Sequence, residues 1–129
     1  MPKIKDATGN HRHSLFLDDE GSVWSSGLNE SGCLGLGDTL GRRKPEKIEN
    51  LPEIAAISSG RNFSVFLDIQ GNIWTTGSNS QGCLGNHNAR ERLRPLQIQD
   101  MCSKVKTISS GDCHNVFISE KKHNCYRII

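Results

Sequence analysis

Apolar residues come in short bursts along this chain, separated by polar turns. Ser14–Asp18 and Ser64–Asp68 are bursts of strand length. Each runs into a turn that ends in glycine, Asp18–Gly21 and Asp68–Gly71. Glycine takes positive φ at little cost, so these segments predict hairpins. Ser22–Gly27 and Asn72–Gly77 then alternate, with Val23 and Ile73 opposite in phase to Trp24 and Trp74. A period of two predicts a second strand in each place. Glycine-dense loops follow over Asn29–Asp38 and Asn79–Asn88. Further strands are predicted around Lys44–Ile48 and Arg94–Ile98. Proline lacks an amide proton, so Pro45 and Pro95 suit an outer edge strand. Arg42 with Lys44, and Arg92 with Arg94, put charge on one face of that strand. Such charge discourages edge-to-edge pairing, a reading preferred here over phosphate binding.

The bursts belong to an internal repeat. Shifted by fifty residues, Ile4–Asn50 lies on Ile54–Asp100 without a gap, and sixteen of the 47 positions are identical. The matches fall on glycines and apolar residues: Gly21, Trp24, Gly27, Asn29, Gly32, Cys33, Leu34 and Gly35 meet Gly71, Trp74, Gly77, Asn79, Gly82, Cys83, Leu84 and Gly85. A third copy starts one residue late, with Val105–Gly111 on Ile54–Gly60 and His114–Ile118 on Phe63–Leu67. After Glu120 the match fails: Lys122 falls where Gly71 stood and Cys125 where Trp74 stood. The expected organisation is one repeat domain over residues 1–120, with repeats at about 4–53, 54–104 and 105–120, and a divergent tail over 121–129.

Composition narrows the function classes. Thirteen glycines with four prolines suit many tight turns rather than disorder. Net charge is +2, with basic and acidic residues mixed, so no basic stripe for nucleic acid is expected. No apolar run approaches the ~20 residues of a membrane span. The opening MPKIKDATGN has no apolar stretch after its lysines, so no secretory signal is expected. A cytoplasmic or nuclear setting follows. Five cysteines, Cys33, Cys83, Cys102, Cys113 and Cys125, form no C-x-x-C pair and read as reduced thiols. Cys113, His114, His123 and Cys125 fit no standard zinc spacing, so no metal site is expected. The glycines around Gly32 and Gly82 lack a following Lys-Ser/Thr, so they read as turns rather than a phosphate loop, and no cofactor is expected.

The motifs resemble the regulator-of-chromosome-condensation repeat. That family's pattern is G-x-x-H-[ST], then G-x-hydrophobic-aromatic, G-x-N and G-Q-L-G-x-G, with about fifty residues per repeat. Here Gly60-Arg61-Asn62-Phe63-Ser64, Gly71-Asn72-Ile73-Trp74, Gly77-Ser78-Asn79 and Gly82-Cys83-Leu84-Gly85 carry it. So do His13-Ser14, Gly21–Trp24, Gly27-Leu28-Asn29, Gly32–Gly37 and Gly111–His114. The resemblance covers about residues 4–120. It implies an all-β fold, an incomplete β-propeller of four-stranded antiparallel blades. The repeat residues singled out are Trp24, Gly27, Asn29, Gly32, Gly35, Trp74, Gly77, Asn79, Gly82, Gly85, Gly111 and His114. Asn10 takes the first glycine's place, which asparagine's tolerance of the left-handed region accommodates. Phe63 replaces the histidine, Cys33 and Cys83 the glutamine, and His87 the last loop glycine.

What the resemblance implies for function is a binding scaffold. Members include exchange factors for the Ran GTPase, regulators of other small GTPases and domains of ubiquitin ligases, so one fold serves many partners. The expected role is a protein–protein interaction module and not an enzyme. The alternatives are a guanine-nucleotide exchange factor, or a remnant of a longer gene. Both tryptophans read as packing between sheets. His13 and His114 read as structural, bonded within or between blades, and Asn29 and Asn79 as turn caps. The variable loops Asp38–Arg43 and Asn88–Leu93 are the better candidates for recognition. Two blades and part of a third leave apolar faces at both ends, so self-association through open blade faces is expected.

Overall fold

The computed structural model describes residues 2–10, 12–79, 84, 91–99, 104–119 and 126–128, the last three by their backbone alone. Its regular structure is all β. Strands β1 (Ile4–Gly9), β2 (His13–Asp18), β3 (Val23–Gly27) and β4 (Arg42–Lys47) form one antiparallel sheet in that order. Strands β5 (Ile54–Ser59), β6 (Phe63–Asp68), β7 (Ile73–Gly77) and β8 (Arg92–Gln97) form a second with the same order. Strands β9 (Val105–Ser110), β10 (Asn115–Ser119) and β11 (Tyr126–Ile128) form a third. These are blades 1, 2 and 3. The fifty-residue repeat reappears in the pairing: Phe16 faces Trp24 and Phe66 faces Trp74, while Leu17 faces Val23 and Leu67 faces Ile73.

Apolar bursts, alternation and edge-strand prolines predict three strands per repeat, and the structure adds a first strand to each. Strand β1, IKDATG, has no strict period of two, which hid it. Its pairing with β2 also shifts register between Ile4 and Asp6, as β5 shifts on β6 between Ile54 and Ala56. Strand β5 packs beside β1 and β2, and β9 beside β5 and β6, so the first strands are the inner ones. Strand β4, RRKPEK, is the outer edge with no buried residue, where its charges and Pro45 belong.

The tail departs from expectation. Residues 126–128 are not an appendage but a third strand on β10, pairing Val116 with Ile128, Phe117 with Arg127 and Ile118 with Tyr126. Arg127, not Cys125, therefore stands opposite Phe117, where Trp74 stands opposite Phe66. The connection is two residues longer than in the earlier repeats, which is why a fixed fifty-residue offset lost the strand.

The blades stack through two apolar cores. Leu15, Leu17, Val23 and Ile48 of blade 1 meet Ile54, Ile57 and Phe66 of blade 2. Val65, Leu67, Ile73, Leu84 and Ile98 of blade 2 meet Val105 and Phe117 of blade 3, with Phe63 in the same cluster. Each side chain of this size stabilises by roughly 1.5–3 kcal/mol when fully buried. A single sheet has no such core, so each blade depends on its neighbours.

Candidate functional site

Three devices, the first two recurring in blade 2, hold the blades and set the loops that could meet a partner. The first sits on the β2–β3 hairpin. The Asp18 carboxylate accepts the amides of Glu20 and Ser22, both at 2.9 Å, on one oxygen and the Trp24 indole N–H at 2.9 Å on the other. Asp68 repeats this with Gln70 and Asn72 at 2.9 Å and Trp74 at 3.0 Å. Burial opposes the charge on Asp18, yet the indole and the two amides outweigh it and hold the carboxyl below its ordinary value. The sequence offered a signal for this, an aspartate and a tryptophan six residues apart in both repeats, which motif reading passed over.

The second device is the loop after β3. Asn29 Nδ2 donates to the carbonyls of Asp38 at 3.0 Å and Leu40 at 2.9 Å, and its Oδ1 accepts the Leu34 amide at 3.0 Å. Ser25 Oγ donates to the Leu34 carbonyl at 2.8 Å, as Thr75 Oγ1 does to Leu84. Asn79 Oδ1 accepts the Leu84 amide at 3.0 Å. Both asparagines are thus turn caps, and Asn29 spans a whole loop. This loop reaches over blade 2. Thr76 Oγ1 donates to the Gly32 carbonyl at 2.9 Å, Ser64 Oγ to the Cys33 carbonyl at 2.6 Å, and the Gly37 amide to Leu93 at 2.9 Å. At Gly32, φ is +81° and a Cβ would lie 2.5 Å from Leu93 Cδ2, so only glycine allows this approach. Gly35, at φ +72°, has Pro95 and Thr76 at 3.3 Å from where a Cβ would stand, so there the backbone conformation rather than space favours glycine. Gly82 and Gly85 lie outside the described residues.

The third device is the inter-blade histidine. His13 is buried on β2 with Nε2 2.9 Å from Ser64 Oγ. The Ser64 proton is already given to Cys33, so His13 donates from Nε2. Its Nδ1 is then an acceptor, buried without a partner. Burial accordingly pulls its pKa from 6.5 to about 4. A bond between blades is expected for this histidine, and blade 2 supplies it twice, through the Phe63 backbone and through the Ser64 hydroxyl. At the equivalent places, the Phe63 ring lies over Gly60 and the exposed His114 ring over Gly111, each where a Cβ would stand. Closeness of the ring, not a left-handed backbone, is what demands glycine there. Asn10 likewise is not left-handed. It replaces glycine by bonding: its Oδ1 accepts the His13 amide at 3.2 Å and its Nδ2 donates to the Gly60 carbonyl of blade 2 at 2.6 Å.

The tryptophans, identical in sequence, differ in setting. Trp74 packs against the core between blades 1 and 2. Trp24 is half-buried on the face of blade 1 that, among the described residues, no other blade covers, so packing between sheets is seen for Trp74 and not for Trp24.

At the loop end of blade 1, Arg12, Gly27, Leu28, Gly41, Arg42 and Arg43 line a shallow hollow of about 420 Å³. Leu28 is 48% exposed, and Leu40, the chain neighbour of the lining residue Gly41, 67%. Arg42 is bound on both sides, by Asp38 at 2.9 Å and by Glu46. These bonds hold the guanidinium charged and the Asp38 carboxyl below its ordinary value. Among the described residues, Arg12 and Arg43 have no carboxylate partner. The loop Asp38–Arg43 is therefore ordered by its own ion pair; of Asn88–Leu93, residues 88–90 lie outside the described residues. Cys33 is buried and its thiol is pushed up to about 11 by that burial, whereas Cys113 is exposed. Among the described residues no cluster of His, Cys, Asp and Glu could hold a metal ion, and no helix is long and apolar enough to cross a membrane.

Two four-stranded blades and a third sheet stacked face to face, with the loop of blade 1 clamped onto blade 2, define a β-propeller repeat protein. The regulator of chromosome condensation (RCC1) repeat profile matches residues 20–67 and 70–118. The chain belongs to the RCC1 repeat family. It is 47% identical over 51 residues to the protein RCC2 homolog of Danio rerio, 45% over 47 residues to protein RCC2 of Homo sapiens, and 37% over 54 residues to the regulator of chromosome condensation of Xenopus laevis. These matches cover 38%, 36% and 41% of this chain, and only 10%, 9% and 13% of the relatives. The fold is similar to that of human WBSCR16, with a TM-score of 0.83 at 18% identity, over 92% of this chain and 31% of that one. It is also similar to Prp20p from Saccharomyces cerevisiae, studied for its binding to Gsp1p and histones, with a TM-score of 0.79 at 20% identity, over 91% of this chain and 31% of that one. The chain thus spans about a tenth of the curated relatives' length and about a third of the solved structures.

Proposed function

We propose that this chain is a protein-interaction module of the regulator-of-chromosome-condensation type, working in the cytoplasm or nucleus through the loop end of its blades. The observation that carries the reading is the hollow at Arg12, Leu28, Gly41 and Arg43. Exposed Leu28 and Arg43 stand there with Leu40 beside them, on a segment that Asn29 and the Asp38–Arg42 pair hold, and Arg12 joins them from the β1–β2 turn. Neither Arg12 nor Arg43 has a carboxylate partner among the described residues. Arginine is enriched among interface hot spots, and exposed leucines add apolar area beside it. The partner is a protein, with a small GTPase the first candidate. The binding of Gsp1p and histones by Prp20p supports trying both classes. Binding of the chain to purified small GTPases and core histones tests this. Leu40→Asp with Arg43→Glu should abolish binding and leave the melting temperature unchanged; unchanged binding would refute the assignment of this end.

The second reading is guanine-nucleotide exchange, favoured by the fold shared with Prp20p. Release of a fluorescent guanine nucleotide from a GTPase panel distinguishes it: acceleration by the chain alone would make it a regulator in its own right rather than a scaffold. We also propose that copies of the chain associate through the sheet faces that blades 1 and 3 leave uncovered.

A further inference from the structure

We infer that the association is head-to-tail, with the β1–β2–β3 face of blade 1 seated on the β10 face of blade 3 in a second copy. This rests on the proposed self-association and assigns its two surfaces. The repeat itself supplies the template. In blade 2, Ile54, Ile57, Ser64, Phe66 and Thr76 face blade 1 and all are buried. Fifty residues earlier stand Ile4, Ala7, Ser14, Phe16 and Ser26, on the same side of blade 1. Ala7 is exposed and the others are half-buried. The side chains are nearly the same; only the cover is missing. On blade 3, Val116 and Ile118 occupy the places of Leu15 and Leu17, which are buried against blade 2. Both are only half-buried.

The polar contact points to a copy of this chain as the occupant. Across the first blade boundary the pair is His13 with Ser64. Across the second, the same positions hold Phe63 and Asn115, which cannot make that bond. At the two open ends they hold His114 and Ser14. His114 is exposed on blade 3 and Ser14 half-buried on blade 1. Brought together, they would restore the His–Ser contact of the first boundary, flanked by Val116 and Ile118 against Phe16 and Ile4. The two ends match each other better than either matches itself, which makes the contact heterologous, able to continue from copy to copy.

Light scattering over a concentration series tests both levels. The parent chain should rise in mass with concentration. Phe16→Lys, which spoils only the blade 1 face, and Ile118→Lys, which spoils only the blade 3 face, should each stay monomeric. An equimolar mixture of the two should form a species of twice the monomer mass and stop there, because one sound face remains on each. If either variant loses its far-UV circular dichroism, Ser14→Arg and His114→Glu report on the same faces from milder positions. A parent that stays monomeric throughout overturns self-association and this assignment together. A parent that associates while the variants associate equally, or while their mixture fails to pair, overturns the head-to-tail assignment alone.

Discussion

His13 of blade 1 and Ser64 of blade 2 share a hydrogen bond of 2.9 Å across the boundary between their sheets. Burial keeps the imidazole neutral, because a proton added at Nδ1 would be a buried charged donor facing no acceptor. The unfolded chain takes up this proton near pH 6.5, the folded chain only near pH 4. Folding stability should therefore be whole above about pH 6.5 and fall steadily down to pH 4. The full loss is on the order of 3 kcal/mol, at about 1.4 kcal/mol for each pH unit between those two values. Urea titrations at pH 7.5, 6 and 4.5 measure it. His13→Phe, the residue that blade 2 uses at the same place, should flatten the profile; an equally steep profile in that variant would assign the loss elsewhere.

Asp18→Ala and Asp68→Ala each strand two turn amides and an indole N–H. Each should cost roughly 2–3 kcal/mol, the penalty of unsatisfied donors with partial access to water. Asp18 also carries a pH signature of its own. Its carboxyl is held below the ordinary value, so its contribution is present above about pH 3.8 and is lost as pH falls further. Chemical denaturation of both variants at neutral pH gives the numbers.

The tryptophans should separate. Trp74→Ala removes a ring packed on blade 1 and should cost about 3–4 kcal/mol. Trp24→Ala removes the equivalent ring from an uncovered face and should cost about half as much. Equal losses would mean that the blade 1 face is covered in solution, which a mass measurement at the same concentration would register.

Gly77 sits at φ +115°, and a Cβ there would lie 2.4 Å from the Asn62 carbonyl oxygen. Gly77→Ala should cost more than about 2 kcal/mol, since backbone conformation and space both oppose it. A melting temperature within a degree of the parent would show that the β6–β7 strand pair can yield.

Cys33 and Cys113 should react at different rates. Cys33 is buried with its thiol raised to about 11, while Cys113 is exposed. Since the thiolate is the nucleophile, iodoacetamide at pH 8 should label Cys113 long before Cys33. Peptide mass mapping over time decides the order.

Much of the fold was legible in the order of the residues. Strand β2 announced itself as an apolar burst, β3 by alternation, and β4 by its charges and proline. Strand β11 was not legible, because its residues share no identity with β3 or β7 and a longer connection moves it out of register. The contacts that tie blades together lie about fifty residues apart in sequence, such as Asn10 with Gly60 and His13 with Ser64. No local pattern reports them. Trp24 and Trp74 mark the limit most sharply: the same residue in the same motif has two environments, and only the neighbouring sheet decides which. At the loop end, the Asp38–Arg42 pairing at a four-residue interval was open to inspection, whereas the hollow beside it arises where loops from different strands converge.

The clamp of blade 1 on blade 2 runs in one direction along the chain, and that has a bearing on biosynthesis. The carbonyls of Gly32 and Cys33 accept from the Thr76 and Ser64 hydroxyls, and the Gly37 amide donates to the Leu93 carbonyl. A ribosome emits the loop long before it emits its seat. Blade 1 must therefore wait, with its loop undocked, until β8 has left the exit tunnel. A nascent chain arrested before Arg92 should be open to protease between Asn29 and Gly41, and one arrested well beyond Gln97 should be closed. The polypeptide would then settle in steps, each newly made sheet locking the one before it.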